Sequence, residues 1–171
     1  MKMTFWIMLG GVATLLGCAT PQPVPHNTMP PGDPNSYFMP DAAAQRWVTV
    51  TTNGTAPASL LVQTHAVAVK ETGPRETVAK FGEVYAFSPA FLAVYQDEPT
   101  RLRFWNLQGD DNHDLMLVAP DATVLLKVLL PPLQETSMVF TFHEAGIYGM
   151  YCAMHQPAMS GQILVLPPRK H

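Results

Sequence analysis

EAGIYGMYCAMHQPAMSGQILV, residues Glu144–Val165, consists of two strand-like stretches on either side of a short loop. The loop brings a thiol, an imidazole and a thioether, those of Cys152, His155 and Met159, into eight residues. Such donors bind transition metals, and a loop between two strands can present all three to one point. This stretch therefore indicates a β-fold with a metal site at one end of a strand pair.

The rest of the chain extends the β pattern. Runs rich in β-branched and aliphatic residues alternate with turn signals such as Asn53-Gly54-Thr55. The predicted strands cover 47–52, 60–69, 84–106 with breaks at Ser88-Pro89 and at the QDEP turn (96–99), 113–120, 123–130, 137–142, 147–152 and 161–167. Part of 60–69 is also compatible with a helix, and 71–76 is predicted to be a loop. Short strands with little helix predict an all-β sandwich or barrel.

A histidine stands where a distant strand begins. His113 follows the polar segment GDDN (109–112) and opens the apolar run HDLMLV. Strand alternation places His113 on one face with Leu115 and Leu117, and places Cys152 on one face with Met150. Both donors can therefore point into one core and meet at its polar end.

A copper centre for electron transfer must bind both oxidation states with little rearrangement. Two imidazoles and a thiolate in a plane, with a weak axial thioether, meet that need. His113, together with the three donors of the loop, offers this combination.

Three segments carry a resemblance to a known family: 87–106, 112–115 and 144–165. They resemble the cupredoxins, the small blue copper proteins that include plastocyanin, pseudoazurin and amicyanin, and the resemblance spans 84–166. It implies a cupredoxin-like Greek-key sandwich or barrel that binds one copper ion cycling between Cu(I) and Cu(II). Carried over residue by residue, it makes His113, Cys152 and His155 the equatorial ligands and Met159 the axial ligand.

The sequence departs from the family pattern at two places. Three residues separate His155 from Met159, where the family more often has two or four. Met154 is the alternative thioether, but its place between Cys152 and His155 should direct it away. Asp114 stands where many members have an Asn or Ser that ties the two ligand segments together.

The N-terminus resembles that of an exported bacterial lipoprotein. Residues 1–17 have a single Lys2 followed by an apolar run too short to span a bilayer comfortably, and LLGC (15–18) resembles the lipoprotein box. The expectation is a signal peptide at 1–17, lipid on Cys18, a Pro-rich tether at 18–41 and one domain at 42–171. A plain signal peptide or an uncleaved anchor helix, with Cys18 there by chance, is the alternative.

This N-terminus predicts a bacterial cell-envelope location, anchored to the bilayer through Cys18 and facing the periplasm. Ala19, rather than Asp, after Cys18 favours the outer membrane. A lipidated Cys18 leaves Cys152 without a disulfide partner in an oxidising compartment, and a role as metal ligand explains such a thiol.

The sequence bears on four alternatives to an electron carrier: a copper enzyme, a binuclear copper domain, a metal-free module and a copper carrier or storage protein. Tyr151 stands where copper enzymes have a catalytic His before the Cys, so no enzymatic activity is expected. A binuclear site needs two loop cysteines, and a metal-free module leaves the four donors unexplained. A periplasmic copper carrier or storage protein on the same fold remains the alternative. The net charge of −3, near −4 without residues 1–17, gives no basic patch for nucleic acid.

The expected partners are transient redox proteins that dock near His155, where Met154, Pro157 and Ala158 would form an apolar patch. The protein is expected to act as a monomer.

Overall fold

A computed structural model describes residues 36–170. The predicted signal peptide, Cys18 and the tether up to residue 35 lie outside the described residues. Within 36–170 the strands are β1 Val48–Thr51, β2 Ala58–Ala68, β3 Val84–Ser88, β4 Phe91–Tyr95, β5 Thr100–Asn106, β6 His113–Val118, β7 Val124–Leu130, β8 Glu135–Phe142, β9 Gly146–Tyr151 and β10 Ser160–Leu166, with one helix, α1 Arg75–Phe81. Two short 3-10 turns are Ala44–Arg46 and Ala153–His155.

The strands form two five-stranded sheets. The strand order is β1-β8-β5-β2-β3 in the first sheet and β4-β10-β9-β6-β7 in the second. Pairing is antiparallel except for β2 with β5 and β4 with β10, which are parallel. The consecutive strands β3 and β4, separated only by Pro89-Ala90, belong to different sheets, so one stretch of chain closes the edge of both. The predicted all-β fold with two sheets is confirmed.

The core lies between the two sheets and is filled by alternate residues of the strands. In β5 every second residue from Thr100 is buried, and in β9 the inward residues Tyr148 and Met150 have no exposed surface. Phe142 packs edge-on against Tyr148, with ring centroids 4.9 Å apart. Each fully buried large apolar side chain contributes about 1.5–3 kcal/mol by leaving water.

The sequence reading differs from the structure at two segments. The ambiguous stretch 60–69 is strand almost throughout, because it pairs with both β3 and β5. The loop prediction for 71–76 is wrong at its end, since α1 begins at Arg75. Gly82, with φ of +77°, ends the helix in a backbone conformation that favours glycine. The helix has no buried residue.

No helix within residues 36–170 combines the length and apolar character required to cross a membrane.

The topology places the predicted donors at one end of the sandwich. β6 pairs with β9 in antiparallel register, with Met116 opposite Tyr151, so the first residue of β6 and the residues after β9 meet. On the other side of β6, His113 pairs with Leu130 at the end of β7. The chain from Ser36 to Pro40 lies along β7, and Phe38 pairs with Lys127.

Gly161 supports the closure of this end and gives a test of the packing. A Cβ at Gly161 would lie 2.5 Å from the backbone oxygen of Ala90 and 2.7 Å from Met150 Cε, whereas a Cβ at Gly109 would meet nothing within 4 Å. We expect Gly161→Ala to lower the free energy of unfolding by about 1–3 kcal/mol, because the backbone cannot give way as a flexible side chain can. Denaturant unfolding of the full chain measures this, with Gly109→Ala as the matched control. Equal stability of the two variants would contradict the packing described.

Candidate metal centre

Three predicted donors converge at the end of the second sheet. His113 opens β6, Cys152 follows β9, and His155 closes the 3-10 turn after Cys152. His113 Nδ1 lies 3.1 Å from His155 Nδ1 and 3.9 Å from Cys152 Sγ, and His155 Nδ1 lies 3.5 Å from Cys152 Sγ. His113 and Cys152 are fully buried and His155 is half-buried. Among the described residues, these three form a group of His, Cys, Asp or Glu donors that could hold a metal ion.

The spacing of the three atoms fits a transition metal. The point equidistant from the two Nδ1 atoms and Sγ lies about 2 Å from each, which is close to usual metal–nitrogen and metal–thiolate distances. All three atoms face one another across a space too small for a further side chain. Two imidazoles and one thiolate suit copper and zinc alike.

Burial sets the protonation of the donors before metal binding. Burial, together with the smaller effect of the neighbouring His155, lowers the pKa of His113 to about 4. Burial also lowers the pKa of His155. The pKa of the Cys152 thiol is raised to about 11, mainly by burial. Hydrogen bonds from backbone N–H groups partly oppose this rise. At neutral pH the imidazoles are therefore ready to bind, whereas the thiol must first lose its proton.

Asp114 ties the two donor segments together. Its carboxylate Oδ1 accepts a hydrogen bond of 2.6 Å from the Ala153 N–H, and its own N–H donates to Cys152 Sγ at 3.4 Å. The side chain has no exposed surface. The Asp114 carboxylate thus links the segment that carries His113 to the loop that carries Cys152.

An aromatic ring braces both imidazoles. The Tyr85 ring centroid lies 4.9 Å from that of His113 and 4.5 Å from that of His155, and its hydroxyl donates a short hydrogen bond to the Asp111 carboxylate. Sequence reasoning missed Tyr85, because nothing local in VYAFS relates it to residues 111–155. In the sequence, Asp111 stands out only as one residue of the polar segment 109–112.

Asn106 holds the loop that precedes His113. Its Nδ2 donates to the backbone oxygens of Asp111 and Leu130, and its Oδ1 accepts from the Thr64 hydroxyl and from the Gln108 N–H. A buried amide with all these groups satisfied fixes the loop to three strands. Alternation along β5 would have placed Asn106 inward, which is the signal that could have identified it.

The two candidate thioethers differ in burial. Met159 is fully buried, its N–H donates to the His155 oxygen, and its oxygen accepts from the Cys152 N–H. Met154 remains 41% exposed. The backbone thus folds Met159 back onto the donor loop, and its axial role stays a prediction. Cys18 lies outside the described residues.

Another histidine makes different contacts. His143 Nδ1 lies 2.9 Å from the Asp97 carboxylate and its Nε2 lies 2.8 Å from the Thr49 hydroxyl. These contacts join β1 to the turn before β5, so His143 stabilises the sandwich at a distance from the donor cluster.

Solved structures with similar strand arrangements include auracyanin B, with a TM-score of 0.48 and 16% identity over 71% of this chain and 99% of that chain. Auracyanin A, described as a "blue" copper protein from the green thermophilic photosynthetic bacterium Chloroflexus aurantiacus, has a TM-score of 0.44 and 19% identity over 64% of this chain and 98% of that chain. A reduced amicyanin mutant has a TM-score of 0.44 and 20% identity over 70% and 99%. No family model and no curated protein matches the chain.

Metal binding is expected to release about one proton. The Cys152 thiol, with a pKa near 11, is protonated at neutral pH and must bind as the thiolate, whereas both imidazoles are already neutral. Affinity should therefore rise about tenfold per pH unit between about pH 7 and 9. Calorimetric titration with Zn²⁺ in buffers of different ionisation enthalpy counts the protons. Cys152→Ala should abolish the release, and release of none or two by the native chain would contradict this account.

Proposed function

We propose that this protein is an electron carrier with one mononuclear copper ion bound by His113, Cys152 and His155, and with Met159 as a weak axial ligand. The observation that carries the proposal is the cluster of two Nδ1 atoms and one Sγ, all within 3.9 Å of one another, at the buried end of a two-sheet sandwich. Copper in such a site cycles between Cu(I) and Cu(II). The protein would hold the two imidazoles and the thiolate in one arrangement for both oxidation states.

Rigidity of the donors supports this role. Electron transfer is fast when the two oxidation states share one geometry, which requires ligands that do not rearrange. Tyr85 braces both imidazoles, and Asp114 links the strand that carries His113 to the loop that carries Cys152. The donors are therefore placed by packed rings and by a backbone hydrogen bond.

Burial of the donors favours an electron carrier over a copper carrier or storage protein. A protein that passes its metal to a partner must expose the ligands, yet Cys152 and His113 have no exposed surface. An electron needs only a short path to the surface, and the half-buried His155 supplies that path. Tyr151, which precedes Cys152, offers no imidazole for a second, catalytic copper, in keeping with a role other than that of an enzyme.

Redox partners would dock at this end of the molecule. Met154 is 41% exposed, and Leu107 and Leu133, on loops joined by a hydrogen bond from Leu133 N–H to the Gln108 oxygen, are also exposed. These loops follow β5 and β7, whose ends lie beside His113. Exposed apolar side chains at this end suit brief contacts with several partners.

The location remains part of the proposal. We propose that lipid on Cys18 anchors the chain to the bacterial cell envelope, facing the periplasm and with the outer membrane favoured. The protein would then act as a monomer on a tether, able to meet redox partners near that membrane.

The Cu(II) spectrum tests the metal centre. The full chain loaded with Cu(II) should show an intense visible absorption and narrow copper hyperfine splitting, because both come from a thiolate bound to Cu(II). Cys152→Ala should lose this absorption, while Cys18→Ser, which removes the other thiol of the chain, should keep it. Met159→Leu should also keep it, since the axial bond is weak.

A colourless native chain with an ordinary Cu(II) spectrum would overturn the electron-carrier proposal. If that chain also passed Cu(I) readily to a chelator, the copper carrier or storage role would replace it.

Electron exchange between copies of the protein tests the docking end. Leu133→Lys should slow exchange between the Cu(I) and Cu(II) forms by about tenfold, because two lysines would face each other when the donor ends meet. Ile147→Lys is the matched control, since Ile147 is 55% exposed and lies near the start of β9, at the opposite end. NMR line widths of mixtures of the two forms give the rates. Equal slowing by both variants would place the contact elsewhere.

A further inference from the structure

A buried ion pair lies directly behind the donor loop. Asp114 Oδ2 is 3.4 Å from Lys127 Nζ, and the side chains of the aspartate and the lysine are 0% and 6% exposed. Both belong to neighbouring strands, and both point to the outer side of the second sheet. A charge pair is rarely buried so completely unless the surroundings hold both partners in place.

The chain from Ser36 to Pro40, here called the strap, covers this pair. The Phe38 N–H donates to the Lys127 oxygen at 2.8 Å, and the Lys127 N–H donates to the Phe38 oxygen at 3.0 Å. The Tyr37 ring centroid lies 5.6 Å from Lys127 Nζ, within the range of a cation–π contact. The strap therefore holds both the backbone and the ammonium group of Lys127.

We propose that Lys127, held by the strap, is a positioning residue that keeps the Asp114 carboxylate on the Ala153 N–H and offsets its negative charge at the copper centre. The first role concerns the chain alone, whereas the second rests on the proposed function as a copper electron carrier. No residue of this device binds the metal itself.

The electrostatic step follows from the positions of the groups. The Asp114 N–H lies 3.4 Å from Cys152 Sγ, so the carboxylate of the same residue is close to the thiolate. A negative charge there favours Cu(II) over Cu(I), and the ammonium of Lys127 counteracts it. In a buried region such charges are poorly screened by salt.

Two pKa shifts agree with this proximity. Burial is the largest cause of the raised pKa of the Tyr37 hydroxyl, and the nearby charges of Asp114 and Cys152 also raise it. The charge of Asp114 also contributes to the raised pKa of the Cys152 thiol, although burial is the larger cause. The strap, the ion pair and the thiol therefore share one electrostatic environment.

The positioning role is tested on the metal-free full chain. Amide hydrogen exchange at Ala153, followed by NMR, reports whether its N–H keeps the carboxylate as partner. Lys127→Met should speed this exchange about tenfold or more, and Tyr37→Ala should speed it severalfold by exposing the ammonium to water. Met39→Ala is the matched control, since Met39 lies in the same strap and is 41% exposed, against 39% for Tyr37.

The charge role is tested by the redox potential of the copper-loaded chain. Lys127→Met should change the ratio of Cu(II) to Cu(I) affinity about tenfold in favour of Cu(II), a fall of about 59 mV for one electron. Asp114→Asn, which keeps an oxygen for the Ala153 N–H, should shift the ratio in the opposite direction. The double variant has no net change in charge and should return close to the native potential.

The outcomes separate the inference from the function on which it rests. Unchanged Ala153 exchange in folded Lys127→Met overturns the positioning role, and potentials unchanged in both single variants overturn the charge role. A native chain that gives no thiolate–copper absorption refutes the electron-carrier function and the charge role together. The exchange experiment then still decides the positioning role, because it uses no metal.

Discussion

The hydrogen bond from the Ala153 N–H to the Asp114 carboxylate joins the two parts of the chain on which the donor cluster depends. His113 comes from β6, an inner strand of the second sheet, and Cys152 comes from the loop that follows β9, the neighbouring strand. Strand pairing brings the two segments side by side, but the last β6–β9 pair on this side is Met116 with Tyr151. The carboxylate extends the link beyond that pair, from the start of β6 to the residue that follows Cys152.

A site built in this way is organised before any metal arrives. The imidazoles are kept neutral by burial, their rings are packed against Tyr85, and the loop is closed by backbone hydrogen bonds between Met159 and the residues Cys152 and His155. The free energy of folding thus offsets the desolvation of the three donors. A metal ion would then have to displace only the proton of the Cys152 thiol. The same arrangement limits how far the donors can move.

The sequence alone predicted the two-sheet β-fold, and it placed His113, Cys152 and His155 in one cluster, because alternation and turn residues are local signals. It could not show that the Tyr85 ring packs against both imidazoles, since Tyr85 belongs to β3 in the first sheet and His113 to β6 in the second. It noted Asp114 as unusual but not Lys127 as its partner, because a lysine within TVLLKVLL ordinarily faces solvent. Only the cover provided by Tyr37 and Phe38, from a segment predicted to be tether, explains why this lysine is buried.

β4 and β10 pair in parallel although they lie far apart along the chain. β10 is the last strand within residues 36–170, and it completes the second sheet by pairing with β9 on one side and with β4 on the other. Contacts between segments so far apart along a chain form late and slowly. The donor loop lies immediately before β10, so the C-terminal end of the loop is fixed only when β10 has paired with β9 and β4. Closure of the donor cluster is therefore coupled to completion of the second sheet.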